Sequence, residues 1–160
     1  MSVLFVAMPF TNLKLRFEDQ NLVEVDFDVE MPADSEPDDA LMCLAREQLK
    51  TYAVTASHSL DLPLAPGGTE YQQRVWTLLR QIPAGSVRTY GDIAAELHSS
   101  PRAVGNACRA NPIPLFIPCH RVVAKAGIGG FAGKTAGPVL SLKETLLRHE
   151  GVEIPIINPK

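Results

Sequence analysis

The sequence predicts an α/β protein in two lobes: a small N-terminal strand-rich lobe with a helix over residues 1–62, and a mostly helical C-terminal lobe containing a helix-turn-helix over residues 63–160. Three observations predict this. "LKLRFE" and "LVEVDFDVE" alternate apolar and polar residues with the period of a strand. From Thr69 onward, apolar residues recur at helical spacing in segments closed by Pro or Gly. Between them, "HSLDLPLAPGG" holds two prolines, two glycines and no period, the composition of a linker.

Element by element, "SVLFVAM", "LKLRFE" and "LVEVDFDVE" read as strands, with "FEDQN" as the turn between the last two. The acidic "MPADSEPDD" is a loop whose Ser35/Asp38 region caps the next helix. That helix, "DALMCLAREQLKTYAV", places Leu41, Cys43, Leu44, Leu49 and Tyr52 near one face, with Cys43 expected as core packing. In "TEYQQRVWTLLRQIPAG", Thr69 is the predicted N-cap; Tyr71, Val75, Trp76, Leu78 and Leu79 form the apolar stripe, and Pro83 and Gly85 end the helix. "YGDIAAEL" and "PRAVGNACRAN" are two short helices separated by "HSS", the pattern of a helix-turn-helix, with Arg102 and Arg109 on the second. Ala103 and Gly105 make a thin face there that can approach a groove closely. In "PIPLFIPCHRVV", the prolines forbid a helix before Cys119, so the segment is expected extended and mostly buried. "AKAGIGGFAGKTAGP" is a Gly-rich loop at the surface or lining a site. "SLKETLLRHEG" is a final helix stopped by Gly151, with Leu142, Thr145, Leu146 and His149 on one side.

Composition excludes several classes. A hydrophobic share of 46% and a charged share of 21% are ordinary for a globular chain, not a disordered one. No apolar run approaches the ~18 residues of a membrane span. "MSVLFVAMPF" lacks a basic leader and a cleavage site and reads as a strand, not a signal peptide. Cys43, Cys108 and Cys119 are odd in number and widely spaced, which argues against a disulfide framework and for a reducing, cytoplasmic setting. Net charge is −3, but residues 1–62 carry four Lys/Arg against twelve Asp/Glu while residues 63–160 carry eleven against six. Such a chain can meet a polyanion with its second half alone.

"IPCHRVV" sets Cys119 between a proline and an imidazole. No C-x-x-C, H-x-x-x-H or H-x-E with P-C-x-x-C spacing accompanies it, so no metal is expected. Two readings stay open on these residues alone. Cys119 is a buried inert thiol, as Cys108 is expected to be, or a nucleophile whose thiolate is favoured by the positive charges of His120 and Arg121. The Gly-rich loop lacks the spacing of a phosphate cradle.

"RAVGNACRANPIPLFIPCHRVV", preceded by "QQRVWTLLRQIPAGSVRTYGDIA" and followed by "GGFAG" and "LKETLLRHEG", resembles the O6-alkylguanine-DNA alkyltransferases, also called methylated-DNA–protein-cysteine methyltransferases. The likeness runs from about Gly68 to Gly151; residues 1–62 match only in general plan. The resemblance implies that an alkylated guanine is flipped out of duplex DNA and its alkyl group moved irreversibly to Cys119, once per molecule, by a monomer without cofactor. It implies that His120 takes the thiol proton through a water, that Glu150 orients His120, and that Asn111 braces the segment. It further implies that the second helix of the helix-turn-helix enters the minor groove with Ala103 and Gly105 close to it. Arg102 would fill the gap of the flipped base, Tyr90 crowd the rotating phosphate, and Arg109 hold the backbone. Around the base, the carbonyls of Cys119 and Val122 would accept from guanine, the Ala132 N–H would donate to O6, and Pro114 and Phe131 would be apolar walls.

The chain departs from the family pattern in places. "ELHSSPRAVG" is about two residues short between the helices, Phe131 stands where tyrosine is usual, and Cys108 stands where a larger apolar residue can occur. "GKTAGPVLS" is longer than the corresponding loop of some relatives, and these changes predict that bulkier alkyl groups are accepted. No Cys/His set in residues 1–62 matches the structural zinc site of some relatives. Two other functions compete: a non-catalytic binder of alkylated DNA, against which the presence of Cys119 counts, and a Cys–His–Asn thiol hydrolase, which would recycle where an alkyl acceptor stops at one equivalent.

Overall fold

The first strands form because β-branched and apolar residues alternate with polar ones, so each can bury a single face. In the computed structural model, which describes residues 2–33, 36–125 and 138–153 (138–141 by backbone alone), β1 (Ser2–Ala7), β2 (Asn12–Glu18) and β3 (Asn21–Phe27) make an antiparallel sheet in the order β1-β2-β3. Leu4 pairs with Leu15, and Leu15 with Val25, so one face carries a row of buried aliphatic side chains. The β2–β3 turn has two residues, Asp19 and Gln20, both at positive φ (49° and 61°), the twist that a tight hairpin requires. Helix α1 (Ala40–Val54) follows.

Two expectations for α1 are corrected. Its cap is Asp39, whose carboxylate accepts from the Met42 N–H at 2.8 Å. Asp38 lies one residue too early, and Ser35 lies outside the described residues. The buried stripe is Met42, Ala45, Leu49 and Tyr52, while Cys43 and Leu44 are exposed. With both Met42 and Cys43 apolar, the spacing from Leu49 and Tyr52 back by seven residues selects 42 and 45, which turns Cys43 outward.

The chain divides into two compact units, residues 1–67 with 112–116, and 68–111 with 117–160. In the first, the Pro112 carbonyl accepts from Val25 N–H at 2.9 Å, and Ile113, Leu115 and Phe116 are buried. Part of the predicted linker is held there too: Leu22 bridges Leu64.

In the second unit, α2 (Glu70–Leu79) begins with a full capping box, Thr69 and Gln72 exchanging side-chain bonds with each other's backbone. It buries Val75, Trp76 and Leu79, and Trp76 Nε1 donates to the Ala107 carbonyl at 2.9 Å. That bond ties α2 to α4 (Pro101–Arg109), which pairs with α3 (Tyr90–Leu97) as the predicted helix-turn-helix. The turn is three residues long. His98 takes a left-handed conformation (φ 54°), and His98 N–H and Ser99 N–H bond back to Ala95 and Ala94, which ends α3 abruptly. Ser100 then caps α4, with Pro101 in its first turn.

The segment around Cys119 is buried as expected but not wholly extended, because Cys119–Arg121 form a single 3-10 turn. It leads into β5 (Val122–Val123), which pairs in parallel with β4 (Arg88–Thr89). The last helix, α5, runs Pro138–His149. Its buried side is Leu142, Lys143, Leu146 and Leu147; Thr145 is exposed and His149 only half-buried, which corrects the predicted face. No described helix is long and apolar enough to cross a membrane.

Candidate active site

Four elements of the second unit converge on Cys119. The 3-10 turn presents Cys119, His120 and Arg121 in succession; Glu150 directly follows α5; α3 begins at Tyr90; and α4 carries Cys108 on its buried face. Pairing of β4 with β5 aligns Thr89 with Val123, which brings the start of α3 beside the turn.

Glu150 is placed by how α5 stops. Gly151 has φ +89°, and its N–H and that of Val152 bond back to Arg148 and Leu147 at 3.0 and 2.9 Å. This closure leaves Glu150 in the turn just past the end of α5, with its side chain directed inward and no exposed carboxylate surface. His120 Nε2 lies 2.9 Å from Glu150 Oε2. Arg121 grips the same carboxylate with Nε to Oε1 and Nη2 to Oε2, each at 2.9 Å, and donates from Nη1 to the Ile82 carbonyl at 2.6 Å. Burial alone would raise the Glu150 carboxyl, but the hydrogen bonds and charges of His120 and Arg121 outweigh it and hold the carboxyl well below its ordinary range. An ionised carboxylate accepts only, so His120 Nε2 bears the hydrogen and Nδ1 is the basic nitrogen. Nδ1 is buried and makes no hydrogen bond within the described protein. Burial also lowers the His120 pKa, so the imidazole rests neutral and can accept a proton.

Cys119 is 6% exposed. Burial pushes its thiol up, while a hydrogen bond from the Asn111 side chain and the charge of Lys143 pull it back. Asn111 Nδ2 also donates to the Ile117 carbonyl at 2.8 Å, which fixes the amide across the approach to Cys119. The expected support from Arg121 is not what the fold provides: Arg121 is committed to Glu150 and Ile82, and the cation acting on the thiol is Lys143 of α5. Sequence reasoning missed Lys143. A lysine inside "SLKETLLRHEG" reads as a solvated position, yet it is fully buried, with Nζ donating to the Val122 carbonyl at 2.8 Å and lying 5.9 Å from the Tyr90 ring centre.

The remaining predicted residues fall in three groups. Arg102 and Arg109 are exposed on α4 together with Asn106, and neither arginine forms an ion pair among the described residues. Gly105 faces open space on the same side, and Ala103 is half-buried beside it. Cys108 is buried, its thiol pushed up first by burial and then by the neighbouring Cys119, as an inert thiol would be. Pro114 belongs to the segment Pro112–Phe116 that packs with the first unit. Phe131 and Ala132 lie outside the described residues, as does most of the Gly-rich loop. No group of three or more metal-ligating side chains occurs among the described residues.

Residues 70–152, just over half of the chain, match the family model for the DNA-binding domain of 6-O-methylguanine DNA methyltransferase. The chain belongs to this family. It is 37% identical over 152 residues to the methylated-DNA–protein-cysteine methyltransferase of Methanosarcina barkeri, covering 91% of this chain and 94% of that one. It is 44% identical over 109 residues to the protein of the same name from Methanosarcina acetivorans, 67% of each chain. Among solved structures it resembles the Mycobacterium tuberculosis OGT in complex with DNA, with a TM-score of 0.73, 31% identity, and coverage of 92% of this chain and 91% of that one. Membership accounts for the two-unit α/β architecture and for the order of motifs from α2 to Gly151.

Proposed function

We propose that this chain repairs duplex DNA directly, by moving the alkyl group of an O6-alkylguanine to Cys119. The observation that carries this reading is the buried His120–Glu150 pair, at 2.9 Å, next in sequence to a buried cysteine, in a chain of this family. Neutral His120 takes the Cys119 proton through a water at Nδ1, and Glu150 stabilises the imidazolium that forms. The thiolate sulfur attacks the alkyl carbon; the S–C bond forms as the C–O6 bond breaks, and the purine leaves as guanine after taking up the proton the thiol lost. Because a thioether has no leaving group that water can displace under these conditions, the protein acts once.

On the DNA side, exposed Arg102 and Arg109, with half-buried Gly105 facing open space, suit the close approach of α4 to a minor groove, with Ala103 at its flank. Arg102 replaces the flipped base, Tyr90 crowds its phosphate, and the carbonyls of Cys119 and Val122 read its amino group. Ala132, Phe131 and Pro114 complete the proposed pocket, and the protein works as a monomer in the cytoplasm without cofactor. O4-alkylthymine is a second candidate substrate of the same chemistry.

The test is intact mass followed by peptide mapping after incubation with a duplex bearing one O6-methylguanine. The expected result is one added CH2 on the Cys119 peptide, saturating at one per protein and absent in Cys119→Ser. Tight lesion binding without mass gain would instead make the protein a non-catalytic binder of alkylated DNA, and continuous turnover would make it a hydrolase.

A further inference from the structure

Tyr71 stands in the first turn of α2 and is only half-buried, unlike Val75, Trp76 and Leu79 of the same stripe. Its hydroxyl reaches another part of the fold. Tyr71 Oη lies 2.7 Å from Ser99 Oγ, 28 residues away in sequence, in the turn between α3 and α4. That turn has no slack. His98 is left-handed, Ser99 N–H bonds back to the Ala94 carbonyl at 2.9 Å, and Ser100 Oγ accepts from Ala103 N–H at 3.2 Å. Arg102 follows directly behind Pro101, whose ring fixes φ. The place of Ser99 therefore decides where Arg102 starts. Towards the other end of α4, Trp76 Nε1 donates to the Ala107 carbonyl at 2.9 Å. The indole is itself tightly seated, since a Cβ added to Gly68 would stand 2.6 Å from its Cη2. Two residues of α2 thus bond to opposite ends of the helix that presents Arg102 and Arg109.

We propose that Tyr71 is a positioning residue for DNA recognition: its hydrogen bond to Ser99 sets the angle at which α4 meets the duplex, and so places Arg102. The proposal rests on the repair reading above and extends it to a residue outside the helix-turn-helix. Two anchors near the ends of a rigid rod fix its direction, where one leaves a pivot. Val104, Ala107 and Cys108 hold α4 to its neighbours by apolar packing, which is not directional. The Trp76–Ala107 bond alone would let the Arg102 end swing. With the Tyr71–Ser99 bond made, the free protein already holds α4 in place, and less binding energy goes into ordering the turn.

The test compares the parent chain with Tyr71→Phe, Ser99→Ala and the double variant, each substitution deleting one oxygen. Affinity is read by fluorescence anisotropy of a labelled duplex bearing one O6-methylguanine, well below each thermal midpoint. The expected result is about fivefold weaker binding in each single variant, the range of one hydrogen bond. The double variant is expected to bind no more weakly than either single, because both remove the same bond. Labelling of Cys119 by iodoacetamide, read by peptide mapping, is expected to keep the parent rate; a slowed rate would put the damage at Cys119 and overturn the proposal. Unchanged affinity in Tyr71→Phe overturns it whether or not the thermal midpoint falls, the bond then being structural alone. Additive losses in the double variant overturn it too, since they would make the two hydroxyls separate DNA contacts. A parent chain that binds no duplex overturns the repair reading and this proposal with it, whereas a parent that binds beside unchanged variants overturns the proposal alone.

Discussion

Glu150 sits between an imidazole and a guanidinium, and each neighbour needs it for a different reason. His120 needs an anion to direct its ring and to stabilise the charge it gains; Arg121 needs one because its guanidinium is largely buried. Glu150→Gln keeps the shape but offers a neutral oxygen and an unwanted donor. It is expected to slow alkyl transfer about 100-fold, within the usual range for disabling a general base, as read by single-turnover mass labelling of Cys119. The same residue sets an acid limit. Its folded pKa lies below the unfolded value of 4.5, so its stabilisation is fully present above that value and is lost as pH falls through the depressed one. Urea unfolding at a series of pH values is expected to show stability dropping below about pH 4.5, with a smaller drop in Glu150→Gln; equal drops in both would assign the acid sensitivity elsewhere.

Among the elements, two chain reversals carry a conformational load. Gly151 holds φ +89° at the end of α5, and Gly85, at φ +90°, comes so close to the same helix end that an added Cβ would lie 3.1 Å from the Glu150 carbonyl oxygen. Both glycines therefore bear on the placement of Glu150. Gly151→Ala is expected to destabilise the protein by about 1–2 kcal/mol, the penalty of a left-handed residue with a Cβ. It is also expected to slow transfer, whereas a stability loss with an unaffected rate would show that Glu150 is positioned by Arg121 alone. The Asp19–Gln20 hairpin is the opposite case, since Gln20 is left-handed without being glycine. Gln20→Gly should raise the thermal midpoint by about 2–4 °C, equivalent to roughly 1 kcal/mol in a chain of this size, measurable by circular dichroism.

At the scale of the whole molecule, the chain order and the compact units do not coincide. Pro112–Phe116 fall late in the sequence yet pack with the first unit, where Ile113, Leu115 and Phe116 are buried. A fragment of residues 68–160 therefore loses the cover of these side chains. It is expected to bind an apolar dye and to melt at lower temperature than the full chain, although residues 70–152 hold the family match. The charge division reads at the same scale. With Arg102 and Arg109 exposed on α4, DNA binding is expected to weaken with salt, and Arg109→Ala should reduce the slope of log affinity against log salt by about 1. A slope unchanged by the substitution would remove Arg109 from the phosphate contacts.

What the sequence determined by itself was local. The β2–β3 hairpin, the Thr69 capping box, the helix-turn-helix and the Gly151 stop all depend on residues a few positions apart, whose steric and hydrogen-bond preferences act before any packing. The motif order from α2 to Gly151 was legible too, and it pointed to the family through its resemblance. Where two solutions were locally equivalent, packing chose between them: Cys43 could have faced inward as well as Met42, and the sheet took Met42. Only the tertiary structure decided the electrostatics of Cys119. Arg121 is its near neighbour in sequence but turns to Glu150 and Ile82, while Lys143 arrives from a different helix to act on the thiol. Charge acts through space in a low-dielectric interior, and which charges share that space is fixed by the packing of helices, not by their order along the chain.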